Sequence, residues 1–245
     1  MPRDWDAASY DRVSGPQTRW GQAVIERLPL AGDERVLDAG CGTGRVTAML
    51  LERLPRGRVV ALDGSPSMIE EARRRFDGDA RVELVTADLA QPLPLAEPVD
   101  AILSTATFHW VADHGALFRN LAAVLRPGGR LVAQCGGAGN VARVTAALHA
   151  VDPTLRQTKN YPTPEETARH LGAAGLVEVG VWLQPEPTRF EPGEPLESFL
   201  RTVILGDVLL QVPEERRTAF VHDVATRMEI PEIDYVRLNI DARRT

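Results

Sequence analysis

The feature that most constrains the fold is a glycine repeat directly after a short apolar run. Residues 35–37 have the apolar character of a buried parallel strand. Gly40, Gly42 and Gly44 follow at alternate positions, where glycine adds backbone entropy and no packing, so they do not continue the strand. Apolar residues then recur at helical spacing over 46–54. The pattern predicts a strand, a tight turn and a helix whose first N–H groups face a polar or anionic ligand.

The spacing of these glycines distinguishes between nucleotide-binding motifs. A dinucleotide fingerprint would require a third small residue at position 45, which is Arg45. A P-loop would require Gly-Lys-Ser/Thr, which does not follow the glycines. Asp38 lies two residues before Gly40, a position at which the dinucleotide motif does not require an acidic residue. The pattern D-x-G-x-G-x-G therefore argues against a nicotinamide-dependent dehydrogenase, which is the first rival interpretation.

Polar residues also follow the next apolar runs. Asp63 comes about 20 residues after Gly40, the offset at which an acidic residue meets ribose hydroxyls in Rossmann-type units. Asp88 follows the apolar run 82–85, and Thr105 ends the fourth run. In doubly wound sheets ligands lie at the carboxyl ends of the strands. The sequence therefore predicts a ligand site at this edge.

Motifs along nearly the whole chain resemble class I S-adenosylmethionine-dependent methyltransferases. D-x-G-x-G-x-G from Asp38 and D-x-S-x-x-M-I from Asp63 are similar to the first and second motifs of that family. The opening W-D-x-x-x-Y, the segment F-H-W-x-x-D-H, the L-x-P-G-G turn and the closing Y-V-R-L-N-I-D-A-R-R resemble its trans-aconitate methyltransferase type, within the methyltransferase type 11/12/25 group.

The resemblance implies an α/β fold. We expect a Rossmann-like, seven-stranded, mostly parallel sheet with an antiparallel last strand, helices on both faces, and N-terminal and C-terminal helical cap elements. Residues 1–245 are expected to form a single methyltransferase domain with its cofactor-binding core at 30–140. Residues 1–29 would act as an N-terminal lid, and residues 190–230 as a helical cap before the last strand.

Periodicity adds detail to the C-terminal part. Apolar spacing predicts two helices in the cap, at about 196–211 and 213–229. Alternation over 233–242 predicts a last strand, and period two at the end of a chain suits an antiparallel edge strand with one wetter face.

The resemblance further implies the cofactor S-adenosyl-L-methionine, which leaves as S-adenosyl-L-homocysteine. Asp63 would accept from the ribose, Met68 would lie against the adenine, and Asp88 would accept from the adenine amino group. Tyr10 would cover the methionine part and Arg19 would pair with its carboxylate, although this segment could instead simply pack on the sheet edge. The predicted cofactor-binding residues are Tyr10, Arg19, Asp38, Gly40, Cys41, Gly42, Gly44, Asp63, Gly64, Met68, Asp88, Leu89 and Thr105.

His109 is the predicted catalytic residue, because family members carry catalytic or substrate-orienting groups after the fourth strand; a structural histidine is the alternative. A carboxylate acceptor is already charged at neutral pH and needs no base. A hydroxyl or ammonium acceptor does need one, and His109 would be the candidate. The other histidines show no ligand spacing, and no cluster predicts a metal site.

The predicted function is methyl transfer to a small molecule, foremost O-methylation of a small carboxylic acid. Two alternatives stay open: a methyltransferase acting on a hydroxyl, amine or carbon of a bacterial natural product, and a non-catalytic cofactor-binding regulatory protein.

Composition bounds the partners and the location. The net charge of −6 argues against nucleic acid or an anionic membrane as the main partner. No apolar stretch approaches the roughly 20 residues of a membrane helix, the first residues lack an apolar signal segment, and two cysteines make no disulfide framework. We expect a cytoplasmic bacterial enzyme, monomeric or homodimeric, that acts on a small-molecule substrate.

Overall fold

The apolar runs form one mixed sheet of seven strands. The computed structural model of the protein describes residues 15–245, with side chains from Arg19 onward. The strands of this sheet are β1 Arg35–Ala39, β2 Arg58–Asp63, β3 Val82–Thr86, β4 Val99–Thr105, β5 Leu125–Gly136, β6 Leu176–Pro185 and β9 Val236–Arg244. Their spatial order is β3-β2-β1-β4-β5-β9-β6. Strands β1 to β5 pair in parallel, whereas β9 is antiparallel to both neighbours, which confirms the predicted fold class.

The remaining elements connect and cover these strands. The α-helices are α1 Gly15–Arg27, α2 Arg45–Glu52, α3 Pro66–Arg75, α4 His114–Val124, α5 Ala142–Val151, α6 Pro164–Ala173, α7 Glu194–Phe199 and α8 Arg217–Arg227. Two short strands, β7 Thr188–Arg189 and β8 Glu232–Ile233, pair separately from the main sheet. No helix in the part of the chain that the structure describes is long and apolar enough to cross a membrane.

Helices cover both faces of the sheet, which explains why its central strands are continuous apolar runs. Side chains alternate between the faces of a strand. Val36 and Val59 join the cluster that contains residues of α1, α2 and α3. Leu37 and Val60 point the other way and join the cluster that contains residues of α4 and α6. Since both faces of these central strands are buried, apolar residues predominate on both.

The alternating pattern of the last strand predicted that it would lie at the edge of the sheet, and this prediction is wrong. β9 lies between β5 and β6, so β6 is the edge strand. One face of β9 packs into the core through Leu238 and Ile240. Arg237 and Asn239, on its other face, are polar but only 2% exposed. The prediction failed because polar residues at alternate positions indicate a solvent-exposed face only when no other element covers that face.

Of the two predicted cap helices, the one at about 196–211 is wrong, because that stretch is broken. The one at about 213–229 is confirmed by α8 and the 3₁₀ turn directly before it. Helix α7 is followed by a π-turn at Leu200–Ile204 and a 3₁₀ turn at Leu209–Gln211, and a 3₁₀ turn at Glu214–Arg216 precedes α8. Gly206 and Pro213 lie at these interruptions, where neither residue favours a continuing helix.

A buried ion pair joins this cap to the loop that precedes α6. Lys159 Nζ lies 2.8 Å from Asp207 Oδ1 and also donates to the Ile204 carbonyl at 2.6 Å. Asp207 Oδ2 accepts from both the N–H and the hydroxyl of Thr158. Burial raises the pKa of Asp207, but Lys159 and the bonds from Thr158 outweigh that effect and leave it below its ordinary value.

We predict that Asp207→Asn lowers the free energy of unfolding by about 3–5 kcal/mol, because it leaves the Lys159 ammonium buried without its countercharge. Urea unfolding at pH 7 measures this change. The double variant Lys159→Met/Asp207→Leu is the control, since it removes both charges and should lose less than the single variant.

The pH dependence provides a second check on this pair. The folded-state pKa of Asp207 is depressed, so its stabilisation is present above the unfolded value of about 4 and is lost as the pH falls through the folded value. Equal losses in the single and double variants would contradict the ion-pair explanation.

Candidate active site

A cavity of about 640 Å³ opens at the carboxyl ends of β1, β2 and β4. The strand order reverses between β1 and β4, and crevices at such switch points are the usual ligand sites of open α/β sheets. Residues of the glycine turn line one side, and Val203 and Ile204 of the cap line another. The volume lies within the range of about 300–1,000 Å³ that is usual for small-molecule sites.

The three glycines of the turn have different roles. All have positive φ, with values of 89° at Gly40, 54° at Gly42 and 83° at Gly44. A Cβ at Gly40 would lie 2.1 Å from the Thr107 hydroxyl oxygen, whereas a Cβ at Gly42 would meet nothing within 4 Å. Bare backbone at Gly42 therefore faces the cavity.

Gly44 does not line the cavity. A Cβ there would lie 2.4 Å from the Phe76 ring. Because glycine has no Cβ, the start of α2 can pack closely against Phe76. The structure thus gives this predicted cofactor-binding residue a packing position behind the turn.

Asp38 is a buried carboxylate held by the helix that follows the turn. It is 1% exposed, and the Thr47 hydroxyl on α2 donates to its Oδ2 at 2.6 Å. Burial raises the pKa of Asp38 to about 7, while the Thr47 bond lowers it and the neighbouring Asp63 raises it. This carboxyl therefore titrates near neutral pH, where its charge responds to a cationic ligand.

Asp63 links the glycine turn to the end of β2. Its Oδ2 accepts from the Gly42 N–H and its Oδ1 accepts from the Ser65 N–H, both at 2.9 Å. Burial raises the pKa of Asp63, and the bonds from backbone N–H groups oppose that rise. Because a carboxylate offers about four lone-pair directions, both oxygens can accept further bonds from two neighbouring hydroxyls.

The remaining residues predicted from the core motifs lie in the same cavity. These are Cys41, Gly64, Met68, Asp88, Leu89 and Thr105. The Thr105 hydroxyl is buried and has no hydrogen-bond partner in the described part of the chain. Carboxylates, bare backbone and a buried hydroxyl suit a ligand with ribose hydroxyls and amino groups, so the residues present fit an adenosyl cofactor. Among residues 19–245, no group of three side chains could hold a metal ion.

Two of the predicted cofactor-binding residues belong to the N-terminal segment. Tyr10 lies outside the described residues. Arg19 is exposed and lines a separate cavity of about 170 Å³, together with Arg27 and Trp182.

His109 lies in a 3₁₀ turn after β4 and lines the other half of the cavity. Its Nδ1 accepts from the Gly136 N–H at 3.3 Å, and its ring stacks on Tyr161. Burial, and then the positive charges of Arg237 and Lys159, lower its pKa well below the ordinary value. A neutral imidazole that accepts at Nδ1 carries its hydrogen on Nε2 and can donate there.

Sequence reasoning missed the two cations of this half, Arg237 and Lys159. The guanidinium of Arg237 lies 4.2 Å from the Trp20 ring, and Lys159 Nζ lies 4.6 Å from the Trp110 ring. Lys159 is the only lysine of the chain, and this unusual composition was the one sequence feature that could have drawn attention to it. Arg237 had no local signal, because nothing in its neighbourhood tells which strands flank β9.

The cavity is therefore charged in opposite senses along the sheet. Asp38 lies near the end of β1, Asp63 is the last residue of β2 and Asp88 follows β3, all on one side of the switch point. Arg237 on β9 lies on the other side. Lys159 pairs with Asp207, and Arg237 is a second buried cation of this half.

A family described as "Methyltransferase domain" matches residues 36–129. A trans-aconitate 2-methyltransferase of Methylobacterium nodulans is 40% identical over 131 residues, which are 54% of this chain and 49% of that protein. In the alignments with this protein and with two Acidovorax trans-aconitate 2-methyltransferases, the chain matches about half the length of the relative. The trans-aconitate 2-methyltransferase of Methylobacterium radiotolerans is 31% identical over 236 residues, covering 91% of this chain and 88% of that protein.

Solved structures share the fold at low identity. The YcgJ protein from Bacillus subtilis has a TM-score of 0.68 and 17% identity, over 92% of this chain and 98% of that chain. A Haemonchus contortus phosphoethanolamine N-methyltransferase 2, in complex with phosphomonomethylethanolamine and S-adenosylhomocysteine, has a TM-score of 0.66 and 18% identity, over 97% of this chain and 56% of that chain. At these identities the likeness is one of fold.

We predict that the ligand-free protein loses stability as the pH rises from 5 to 8, by about 2–3 kcal/mol through Asp38 alone. The folded-state pKa of about 7 lies above the unfolded value, so deprotonation favours the unfolded chain over this interval. In Asp38→Asn this part of the pH dependence should vanish. Urea unfolding of both proteins at several pH values measures the difference.

A second variant checks the cause. Thr47→Val removes the hydrogen bond that lowers the pKa of Asp38, so the pKa of Asp38 should be higher in this variant. The decrease in the free energy of unfolding with rising pH should therefore continue to higher pH than in the wild type. Parallel pH curves for the wild type and Asp38→Asn would show that Asp38 does not titrate near neutral pH.

Proposed function

Because this chain belongs to the methyltransferase family that includes the trans-aconitate 2-methyltransferases, we propose that it methylates a carboxylate oxygen of a small organic acid, with S-adenosyl-L-methionine as the methyl donor. The charge arrangement of the cavity supports this proposal most directly. Carboxylates lie on the side of β1 to β3, and the buried guanidinium of Arg237 lies on the side of β9. The first side suits an adenosyl sulfonium cofactor, and the second suits an acidic substrate.

The first half of the cavity would hold the cofactor. Asp63 would accept from the ribose hydroxyls, and the bare backbone of the glycine turn would allow close approach at Gly42. Asp38, whose pKa is about 7, would give a negative charge that a cationic ligand stabilises. When bound, S-adenosyl-L-methionine supplies an electrophilic methyl group. The role of the protein is then to place an acceptor beside that group.

The second half would orient the acidic substrate. Arg237 offers a planar fork of N–H donors, which matches a carboxylate in two parallel hydrogen bonds. His109 is neutral and can add a further donor through Nε2. Val203 and Ile204 of the cap would keep water from this space. Positioning of this kind can supply about 7–11 kcal/mol of barrier reduction.

The state of His109 favours a carboxylate over other acceptors. A general base works best with a pKa near the working pH. The pKa of His109 is held well below that range by burial and two neighbouring cations, and its Nδ1 already accepts a hydrogen bond. A hydroxyl or ammonium acceptor would need a base here, whereas a carboxylate needs none.

The decisive experiment incubates the protein with radiolabelled S-adenosyl-L-methionine and a panel of substrates: trans-aconitate and other small di- and tricarboxylic acids, phenols, alcohols and amines. We expect label in an acid, in a form that mild alkali releases as methanol, because methyl esters hydrolyse and methyl ethers or N-methyl groups do not. Label only in a phenol, alcohol or amine would instead support the natural-product alternative. Cofactor binding without transfer to any member would support the regulatory alternative.

We predict that Asp63→Ala weakens binding of S-adenosyl-L-homocysteine by about 1.5–3 kcal/mol, since charged acceptors lie at the upper end for hydrogen bonds. Calorimetry measures this affinity. Asp77→Ala is the matched control, because Asp77 is an exposed aspartate that does not line the cavity. Unchanged affinity in Asp63→Ala would remove this residue from the cofactor site.

We also predict that His109→Gln retains methyl transfer to the acid within about tenfold, because glutamine keeps a donor, whereas loss of a general base costs about 10²–10⁴-fold. With S-adenosyl-L-methionine saturating, the wild-type kcat/KM for the acid should be flat from pH 6 to 8, since His109 stays neutral and the cationic cofactor keeps Asp38 ionised. A rise of kcat/KM through this range that disappears in His109→Gln would instead identify a histidine base.

A further inference from the structure

We propose that Gln134 and Asn239 are positioning residues. Together with Gln184 they form a chain of amide hydrogen bonds that fixes the guanidinium of Arg237 for the acidic substrate. This inference rests on the proposed function in one respect only, the identity of the anion that Arg237 receives.

The chain of hydrogen bonds runs from Arg237 to Glu186. Arg237 Nε donates to Gln134 Oε1 at 3.4 Å, and Gln134 Nε2 donates to Asn239 Oδ1 at 2.9 Å. Asn239 Nδ2 then donates to Gln184 Oε1 at 3.4 Å, and Gln184 Nε2 donates to Glu186 Oε1 at 2.6 Å. We call these five residues the amide relay.

The two ends of the relay determine its direction. A guanidinium can only donate hydrogen bonds, and an ionised carboxylate can only accept them. Because Gln134 must turn its oxygen to Arg237, its NH₂ group faces Asn239, and the same constraint passes along to Gln184. Each amide therefore has one orientation that satisfies both neighbours, and a reversed amide would oppose two donors or two acceptors.

Strand register places the relay on one face of the sheet. Gln134 on β5 lies directly opposite Asn239 on β9, and Gln184 on β6 lies opposite Arg237. Arg237 and Asn239 are two residues apart, so their side chains leave β9 on the same face. The relay thus crosses three strands, from the substrate half of the cavity to the edge of the sheet.

Burial makes the relay selective for one position of Arg237. Arg237 and Asn239 are 2% exposed and Gln134 is 4% exposed. The Trp20 ring, 4.2 Å from the guanidinium, contacts it from helix α1. An arginine with many rotamers is thereby held between a ring and an amide before any substrate arrives, which reduces the ordering cost of binding. Apolar residues of similar volume would often stabilise a fold at least as well as buried polar side chains do. The buried polar side chains of the relay are therefore better explained by a role in function than by stability alone.

The experiment compares Gln134→Leu and Asn239→Leu with the wild-type protein. Calorimetry with trans-aconitate, in the presence of saturating S-adenosyl-L-homocysteine, should show affinity about 5- to 30-fold weaker in both variants, as expected for the loss of a hydrogen bond to a charged group. Affinity for S-adenosyl-L-homocysteine should stay within about twofold, because no relay residue lies at the ends of β1 to β3. In turnover, KM for the acid should rise while kcat changes little.

The matched control is Asp241→Asn. Asp241 follows Asn239 by two positions on the same strand but pairs with Arg130, outside the relay. This variant should leave both affinities unchanged. Gln134→Glu separates charge from position. Its carboxylate could no longer donate to Asn239, but it would hold Arg237 directly through an ion pair. Its negative charge would compete with the substrate, so acid affinity should fall although Arg237 stays fixed.

A second measurement needs no ligand. The Nε–H signal of Arg237 in a ¹⁵N–¹H spectrum, identified by its absence in Arg237→Lys, should exchange slowly with water in the wild type and in Gln134→Glu. It should exchange faster in Gln134→Leu and Asn239→Leu. A merely structural role would lower the unfolding midpoint without moving this signal selectively.

The outcomes are distinguishable. Unchanged acid affinity and unchanged Nε–H exchange in both leucine variants would overturn the inference, as would equal weakening of acid and S-adenosyl-L-homocysteine. If wild-type protein binds no acid of the panel, the proposed function fails, and the Arg237 signal alone then decides whether the relay positions the guanidinium.

Discussion

The hydrogen bond from the Gly42 N–H to Asp63 is the interaction on which the site depends. It joins the turn after β1 to the end of β2, so the bare backbone and the acidic side chain keep one relative position. The bond requires Gly42 to adopt a φ of 54°, a region that residues with a Cβ rarely adopt. A pocket whose backbone and carboxylate are already bonded to each other needs little rearrangement to receive a ligand.

The second constraint is the separation of charge along the sheet. Strand order places Asp38 and Asp63 on one side of the switch point and Arg237 on the other. Opposite charges at the two ends of one cavity favour ligands of opposite sign at each end. The neutral His109 lies near the cationic end, and that environment itself keeps the imidazole from taking a proton. This charge arrangement is what supports the proposal of an acidic substrate.

The cap depends on long-range contacts more than on its own helical propensity. The π-turn at Leu200–Ile204 leaves the Ile204 carbonyl to accept from Lys159, and Asp207 accepts from the same ammonium. Both bonds join the cap to residues about 45 positions earlier in the chain. Apolar periodicity cannot represent such partners, and for that reason it predicted one continuous helix over about 196–211, where the chain is broken.

The sequence by itself determined the strand-turn-helix unit and the motif carboxylates around it, because each rests on neighbours within one supersecondary unit. The class of fold followed from the resemblance of motifs along nearly the whole chain to a known family. The tertiary structure decided the rest. It placed β9 between two strands, and so brought Arg237 into the cavity and buried Asn239. It also packed Gly44 against Phe76 rather than in the lining of the cavity. These outcomes depend on which distant segments pair and pack, and that is a property of the whole chain rather than of any local pattern.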